Sequence, residues 1–161
     1  MATLKDVVSY ICQAYPYKDE LSKARLTKLV YLSDWKMSIT HGCQISPTKW
    51  YFHHFGPYVY DIEQLARSDS DFEIRQTSNA FGSLKEVIKL NRPLAAALNP
   101  AERSAIDFAI DKTRSLSWDE FIKLIYSTYP IVTESRYDFL DLPALAQEYR
   151  KWSKEQSPMP S

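Results

Sequence analysis

The spacing of hydrophobic residues predicts a chain built mainly from helices. A first helix is predicted from Thr3, which stands with Asp6 at the spacing of a capping box, and Pro16 interrupts the segment because proline cannot continue a helix. A second helix is predicted over roughly residues 18–40. Its apolar residues cover much of its circumference, which is typical of a helix at the centre of a fold. Gly42 is placed to end it.

The pattern after Gly42 changes to short extended segments. Aromatic and β-branched residues follow Pro47 and predict one extended segment. We expect a helix to start at Gly56-Pro57 and to run to about residue 67, with Pro57 at its first position. Alternating apolar and polar residues over 72–77 and 85–90 predict a β-hairpin.

The remainder of the chain is predicted to form three more helices. One begins at Asn99-Pro100, with Asn99 as its cap, and the next begins at Ser117 and is ended by Pro130. The last runs from about Leu142 to Lys154.

The predicted fold class is therefore mainly α with some β (α+β). It comprises about six helices and a small antiparallel sheet of two or three short strands. Residues 1–154 are predicted to form a single domain. The polar, proline-bearing residues 155–161 are predicted to form a flexible C-terminal tail.

The amino-acid composition argues against several functional classes. Twenty basic and twenty acidic residues give a net charge of zero, which makes nucleic acid an unlikely partner. The chain has three widely spaced glycines, so it lacks the Walker loop and the dinucleotide fingerprint. It also has no apolar run long enough for a membrane span and no signal-peptide pattern, so we expect a cytoplasmic protein with no membrane partner.

The segment WYFHHFGPYVY, residues 50–60, holds six aromatic residues and two histidines and is the densest candidate for a site. We considered a metal site formed by four potential ligands in this region: His41, Cys43, His53 and His54. Their spacing matches no common zinc motif, and adjacent residues of an extended segment point to opposite faces. We therefore expect no metal and no cofactor.

Two other functions remain open on the residues alone. One is a small enzyme centred on His53, His54, Asp34 and Asp61. The other is a nucleic-acid-binding regulator that represses its own operon. The basic residues Lys18, Lys23, Arg25 and Lys28 lie near aromatic residues, a combination that also suits single-stranded nucleic acid. Acidic neighbours at residues 19 and 20 dilute this basic stretch, and no sequence motif surrounds Cys43 that would make it a catalytic nucleophile.

Alternation along the aromatic segment predicts that its residues divide between core and surface. We expect Trp50 and Phe52 in the core, and Tyr51 and His53 on the opposite, accessible side. Tyrosine and histidine combine an apolar ring with a polar tip, which suits them to a surface that binds another protein.

The sequence also resembles the Panacea domain, or SocA-like antitoxin domain. The resemblance rests on LTKLVYLSDW, a glycine turn, and ISPTKWYFHHFGPYV, with Phe55 where tyrosine is usual. The matching positions are Lys28, Leu29, Tyr31, Leu32, Asp34, Trp35, Gly42, Ile45, Trp50, Gly56 and Pro57. Seven of these are expected to be structural: Lys28, Tyr31, Asp34, Trp35, Trp50, Gly56 and Pro57.

The resemblance implies a non-enzymatic antitoxin of a bacterial or prophage toxin–antitoxin system. Such proteins neutralise a cognate protein toxin by direct binding, and one branch instead acts as an adaptor that delivers its toxin to a protease. The candidate toxin-binding residues are Tyr51, His53, His54, Tyr58 and Tyr60. No feature of the sequence identifies the toxin or fixes the oligomeric state.

Overall fold

A computed structural model describes residues 1–78 and 81–156 of the chain. Its helices are α1 (Leu4–Ala14), α2 (Lys23–His41), α3 (Asp61–Ser68), α4 (Pro100–Thr113), α5 (Trp118–Tyr126), α6 (Tyr129–Thr133) and α7 (Leu142–Gln156). A short 3-10 helix spans Lys18–Glu20. The strands are β1 (Trp50–His53), β2 (Gly56–Tyr58), β3 (Phe72–Ser78), β4 (Leu84–Leu90) and β5 (Phe139–Leu140).

The strands form two small antiparallel sheets, which confirms the predicted α+β class. One sheet has the order β2-β1-β5, and the other is the predicted hairpin of β3 and β4. The capping box predicted at Thr3 is present, the helix predicted from Ser117 begins with a second one that involves Glu120, and Asn99 forms a third with Glu102. In each of the three, a side-chain oxygen accepts a backbone N–H that would otherwise lack a partner at the start of a helix.

Helix α2 is the centre of the fold, as its sequence indicates. Thirteen of its nineteen residues are buried, and it packs against α4, α7 and the three-stranded sheet. Gly42 ends it in the left-handed conformation, with φ of 75°, as a helix terminator should. Because α2 is buried on several sides, polar residues along it are held in the interior, where each must find a partner or a cavity.

The predicted start of α2 at residue 18 is wrong. The helix begins at Lys23, after Ser22, whose hydroxyl accepts the backbone N–H of Arg25. The segment before it turns sharply because the ammonium of Lys18 donates to backbone carbonyls at the end of α1, including those of Cys12 and Gln13. This contact places a cation at the negative end of α1, which stabilises that helix.

The predicted helix start at Gly56-Pro57 is also wrong. Both residues belong to β2, which pairs with β1 in a tight hairpin that places Pro57 opposite Phe52. Gly56 has φ of 105°, a conformation that a helix does not contain. The helix begins later, at Asp61, and its buried residues Ile62 and Ala66 provide the expected apolar face.

The C-terminal third departs from the prediction in smaller ways. Helix α5 ends at Tyr126, before Pro130, and Pro130 lies instead in the first turn of the short helix α6. Strand β5 has no counterpart in the predicted elements. Helix α7 includes residues 155 and 156, which the prediction assigned to the tail, and residues 157–161 lie outside the described residues. No helix in the described part of the chain is long and apolar enough to cross a bilayer.

Candidate protein-binding surface

The three-stranded sheet has one face in the core and one face open to solvent. Trp50, Phe52 and Leu140 are buried beneath it. The side chains between them point outward, because successive residues of a strand alternate between faces. This confirms the predicted burial of Trp50 and Phe52.

The open face carries a contiguous group of aromatic side chains, which we call the aromatic surface: Tyr51, His53, Tyr58, Tyr137 and Phe139. Tyr51 is paired in register with Tyr58 on β2 and with Phe139 on β5, so three rings lie in a row across the sheet. The Tyr51 and Phe139 ring centroids are 5.2 Å apart in an edge-to-face arrangement. His53 lies within ring contact of Tyr51, Tyr58 and Tyr137, at centroid distances between 5.4 and 6.5 Å.

This surface is exposed to an extent that is unusual for large aromatic residues. Tyr58 is 38% exposed, Tyr137 is 61% exposed and Phe139 is 67% exposed. Phe55, in the turn between β1 and β2, is 73% exposed and stacks edge-on against His54 at a centroid distance of 4.6 Å. A continuous apolar patch with polar ring tips is typical of a surface that binds another protein.

Beneath the sheet, Asp34 holds the segment that leads into β1. Its carboxylate is fully buried and accepts four hydrogen bonds. Oδ1 accepts the backbone N–H groups of Ile45 and Ser46, at 3.0 and 3.1 Å, while Oδ2 accepts the Ser46 hydroxyl at 2.7 Å and the Trp50 indole N–H at 2.9 Å. One side chain therefore fixes the turn after α2 and the first residue of β1.

Two opposing effects act on the pKa of the Asp34 carboxyl group. Burial raises its pKa to about 6, and the hydrogen bonds from Trp50, Ser46 and Ile45 oppose that shift by stabilising the carboxylate. The four donors thus favour the ionised form of the group. No histidine donates to it, and both of its oxygens are already used by structural donors, so it has no oxygen free for acid–base chemistry on a substrate.

A second set of contacts continues from this network into the core. The rings of Tyr31 and Trp50 meet edge-to-face at 5.6 Å, and the Tyr31 hydroxyl is hydrogen-bonded to the Thr128 hydroxyl at 2.8 Å. One helical turn after Tyr31, Trp35 packs against Tyr149 of α7 at 5.8 Å. Asp34, Tyr31 and Trp50 thus form one structural cluster, and Trp35 connects the next turn of the same helix to α7.

Tyr137 occupies a backbone conformation that non-glycine residues seldom adopt. Its φ is 70°, and it is the non-glycine residue with positive φ in the described part of the chain. Its backbone N–H donates to the carbonyl of Phe52 at 2.6 Å, and the N–H of Phe52 donates to the carbonyl of Asp138 at 2.9 Å. These bonds to β1 hold Tyr137 in position over the aromatic surface.

The structure places the five candidate toxin-binding residues unequally. Tyr51, His53 and Tyr58 share the aromatic surface. His54 lies in the turn beside it, with its Nδ1 3.4 Å from the Tyr137 hydroxyl. Tyr60 is exposed just before α3 and makes no ring contact with the other four.

The structure does not bring together the residues of the metal site or of the enzyme site considered from the sequence. Within residues 1–78 and 81–156, no group of three or more His, Cys, Asp or Glu side chains is placed to hold a metal ion. Of the enzyme candidates, Asp34 is enclosed by its own donors, while His53, His54 and Asp61 are exposed. Cys43 is exposed beyond the end of α2, and Cys12 is buried in α1.

The basic residues of the α2 region do not form a surface patch. Lys23 is paired with Glu63 at 2.8 Å. Arg25 is buried against the rings of Trp118 and Phe121, 4.9 Å from the Phe121 centroid, and donates to the Tyr15 hydroxyl. Lys28 is buried as well. These side chains are used inside the fold, which leaves no row of cations for a nucleic-acid backbone.

Tyr137 and Phe139 were not among the predicted site residues. The signal that could have found them is the run of alternating residues Tyr137, Asp138, Phe139 and Leu140. The strand within it has only two residues, which is shorter than strands that a sequence pattern can identify.

Comparison with known proteins agrees with this architecture. No curated protein and no solved structure matches the chain. The family model described as antitoxin SocA-like, Panacea domain, matches residues 26–130, about two-thirds of the chain. The matched segment includes most of α2, the Asp34 network, and strands β1 and β2. The chain therefore belongs to the SocA-like antitoxin, Panacea domain family.

Proposed function

We propose that this protein is an antitoxin that neutralises a cognate protein toxin by binding it directly through the aromatic surface. The observation that carries the proposal is the two-faced sheet: Trp50 and Phe52 fix one face in the core, while the half-buried Tyr51 and the exposed His53 and Tyr58 stand on the other face, with the His53 ring in contact with both tyrosines. Family membership supports an antitoxin role in general.

The physical basis is the burial of aromatic area. Exposed aromatic side chains give up contact with water when a partner covers them, and each apolar Å² removed from water contributes about 25 cal/mol. Interfaces concentrate their affinity in a few such residues, tyrosine among them. Because the rings already contact one another across three strands, little side-chain freedom is lost on binding, which favours affinity.

An antitoxin that acts by binding needs affinity for its toxin and no catalytic activity. Asp34, the most buried carboxylate near the surface, is committed to four structural donors. We accordingly propose a non-enzymatic protein that acts in the cytoplasm, where both the toxin and its target would be accessible.

The test begins with genes that neighbour the one encoding this chain. Each is expressed alone and together with this protein, and growth is measured. The proposal expects one neighbour to be toxic alone and tolerated with this protein, and expects the two proteins to elute together from a size-exclusion column. A set of neighbours in which none is toxic, or a toxic one that is not rescued, would overturn the proposal.

The same cells distinguish direct blocking from delivery to a protease. Blocking leaves the toxin present at full level in a complex with this protein. Adaptor action removes the toxin from rescued cells, and the toxin returns when the host proteases are deleted. We propose blocking, and loss of the toxin in rescued cells would replace it with the adaptor mechanism.

A further inference from the structure

Lys28 is a buried cation without a partner. Its side chain lies on α2 beside the β1–β2 hairpin and is only 6% exposed. Among the described residues, no carboxylate lies within ion-pairing distance of it and no group accepts a hydrogen bond from it. Burial without a compensating charge lowers the pKa of its ammonium group. Lys23, at the start of the same helix, is by contrast paired with Glu63.

The unpaired ammonium is not sealed in the core. Across the described chain, Thr77 Oγ1 is the one fully buried side-chain polar atom that lacks a hydrogen-bond partner. The Lys28 ammonium, which also lacks one, must therefore touch open space. The space that Lys28 lines is a cavity of about 280 Å³ between α2 and the hairpin, whose other walls are His53, Phe55, Gly56 and Tyr58.

The cavity lies at the edge of the aromatic surface, since His53 and Tyr58 belong to both. Its volume is below the range of about 300–1,000 Å³ typical of pockets for drug-sized ligands, and it can admit a single side chain. Phe55 and Tyr58 offer apolar walls for methylene groups. The Lys28 ammonium, the His53 ring and the Tyr58 hydroxyl offer hydrogen-bond donors, so the group that fits is an acidic one.

We propose that this cavity is an anchor site for an aspartate or glutamate side chain of the partner protein, whose carboxylate pairs with Lys28 when the partner covers the aromatic surface. This inference rests on the proposed function, because it names the chemistry of the partner at that surface. An ion pair formed there is desolvated by both proteins, the setting in which close charge pairs contribute most to affinity.

The matched variants are Lys28→Met and Lys151→Met. Methionine keeps an unbranched apolar chain of similar length in the place of Lys28, whereas Lys151 is an exposed lysine on α7 that loses the same charge far from the hairpin. We expect Lys28→Met to unfold at the same temperature as the parent or higher, because it removes a buried unpaired charge. A clear fall in its melting temperature would show that the lysine is needed for the fold and would overturn the proposal.

The first binding test uses propionate, a small carboxylate, as the probe. The backbone amide resonances of Gly56 and Tyr58 are followed by NMR during a titration at constant ionic strength, with chloride as the balancing anion. We expect a saturable shift in the parent and in Lys151→Met, and none in Lys28→Met. The absence of a saturable shift in the parent, or the same shift in all three proteins, would overturn the proposed site.

The second test measures affinity for the toxin found by the neighbour screen. We expect Lys28→Met to weaken binding by about tenfold or more, and Lys151→Met to leave it unchanged. If Lys28→Met binds the toxin as well as the parent does, the anchor role is wrong while the antitoxin function stands. If the parent binds no neighbouring protein, the proposed function fails, and the propionate titration still decides whether the carboxylate site exists.

Discussion

The indole N–H of Trp50 donates to the carboxylate of Asp34 across 2.9 Å, and this bond joins the central helix to the first strand of the three-stranded sheet. Both residues are completely buried. Because Trp50 also packs edge-to-face on Tyr31 from the same helix, the orientation of β1 relative to α2 is set at two points. The outer face of β1, which carries the aromatic surface, is therefore held against the core from beneath.

Asp34→Asn should destabilise the fold, although it changes only one atom of the side chain. An amide offers one acceptor oxygen where the carboxylate offers two, and each carboxylate oxygen accepts two bonds, so two of the four donors face an NH₂ group in either orientation of the amide. The Ser46 hydroxyl can reverse and accept, but the Trp50 indole N–H cannot. We expect a loss of about 3 kcal/mol in the free energy of unfolding, measured by urea denaturation.

A double-mutant cycle with Trp50→Phe provides the control. Phenylalanine removes the indole N–H, so Asp34→Asn should cost less in that background than in the parent. Equal costs in the two backgrounds would mean that the Trp50–Asp34 bond contributes nothing specific.

Gly56 should be required for its backbone conformation and not for space. A Cβ built there meets only the Tyr126 ring, at 3.8 Å, which is an ordinary contact, whereas φ of 105° is unfavourable for any L side chain. We therefore expect Gly56→Ala and Gly56→Val to cost similar amounts, about 1–3 kcal/mol each, in thermal or chemical unfolding. A valine cost far above the alanine cost would instead point to a steric clash.

The Gly56-Pro57 pair shows which features of the fold local sequence pattern can predict and which it cannot. Helical periodicity, capping boxes and the β3–β4 hairpin follow from local pattern, and the structure has them. The Gly-Pro pair is ambiguous locally, because Pro57 suits the first turn of a helix as well as a strand position opposite Phe52. Pairing with β1 decides between them, and that is a tertiary contact which local pattern does not contain.

The residues of the candidate surface are likewise predicted only in part from the sequence. Alternation along residues 50–53 predicts which side chains turn inward, and burial follows it at Trp50 and Phe52. Tyr137 and Phe139 join the surface from more than 80 residues away through a two-residue strand. The isolation of Lys28 depends on which carboxylates lie within reach in three dimensions, and the sequence pattern carries no signal for that.

Stability should fall in acid partly through Asp71, which ties α1 to the segment after β4. Hydrogen bonds from Arg92 and then Lys5 lower the Asp71 pKa to about 2, below the ordinary value of 3.8. The unfolded chain therefore binds the proton first, so the stabilisation is present above pH 4 and is lost as the pH falls from about 4 towards 2.

The variant that checks this is Asp71→Asn. Its melting temperature should lie below that of the parent at pH 7, and the difference should shrink as the pH approaches 2. A difference that stays constant across that range would exclude the carboxylate charge as its cause.

Tyr137 should contribute to binding at some expense to stability. Its positive φ disfavours any residue with a Cβ by about 1–2 kcal/mol, and its side chain is largely exposed, so little packing depends on it. Tyr137→Gly should therefore preserve or raise the melting temperature while weakening toxin binding. The same change at Tyr51, whose backbone lies in a paired strand, should lower the melting temperature. Equal losses of stability at both positions would contradict the argument.

The two faces of β1 should separate folding from neutralisation. Tyr51→Ala and Tyr58→Ala remove rings from the open face, so each should leave the fold intact and weaken toxin binding by about 1–3 kcal/mol, as substitutions at interface hot spots do. Trp50→Ala removes a fully buried ring one residue away from Tyr51 and should destabilise the fold by about 3–5 kcal/mol.

Melting temperature and toxin rescue are measured on the same three variants, so each protein serves as a control for the others. Tyr60→Ala, which alters an exposed tyrosine outside the aromatic surface, tests whether any exposed ring near the sheet has the same effect. Normal rescue by the Tyr51 and Tyr58 variants would place the toxin contact elsewhere on the molecule. If the Tyr51 and Tyr58 variants lose rescue while their melting temperatures stay unchanged, the toxin contact lies on the open face of the sheet. Trp50 and Phe52 hold that face in position from beneath.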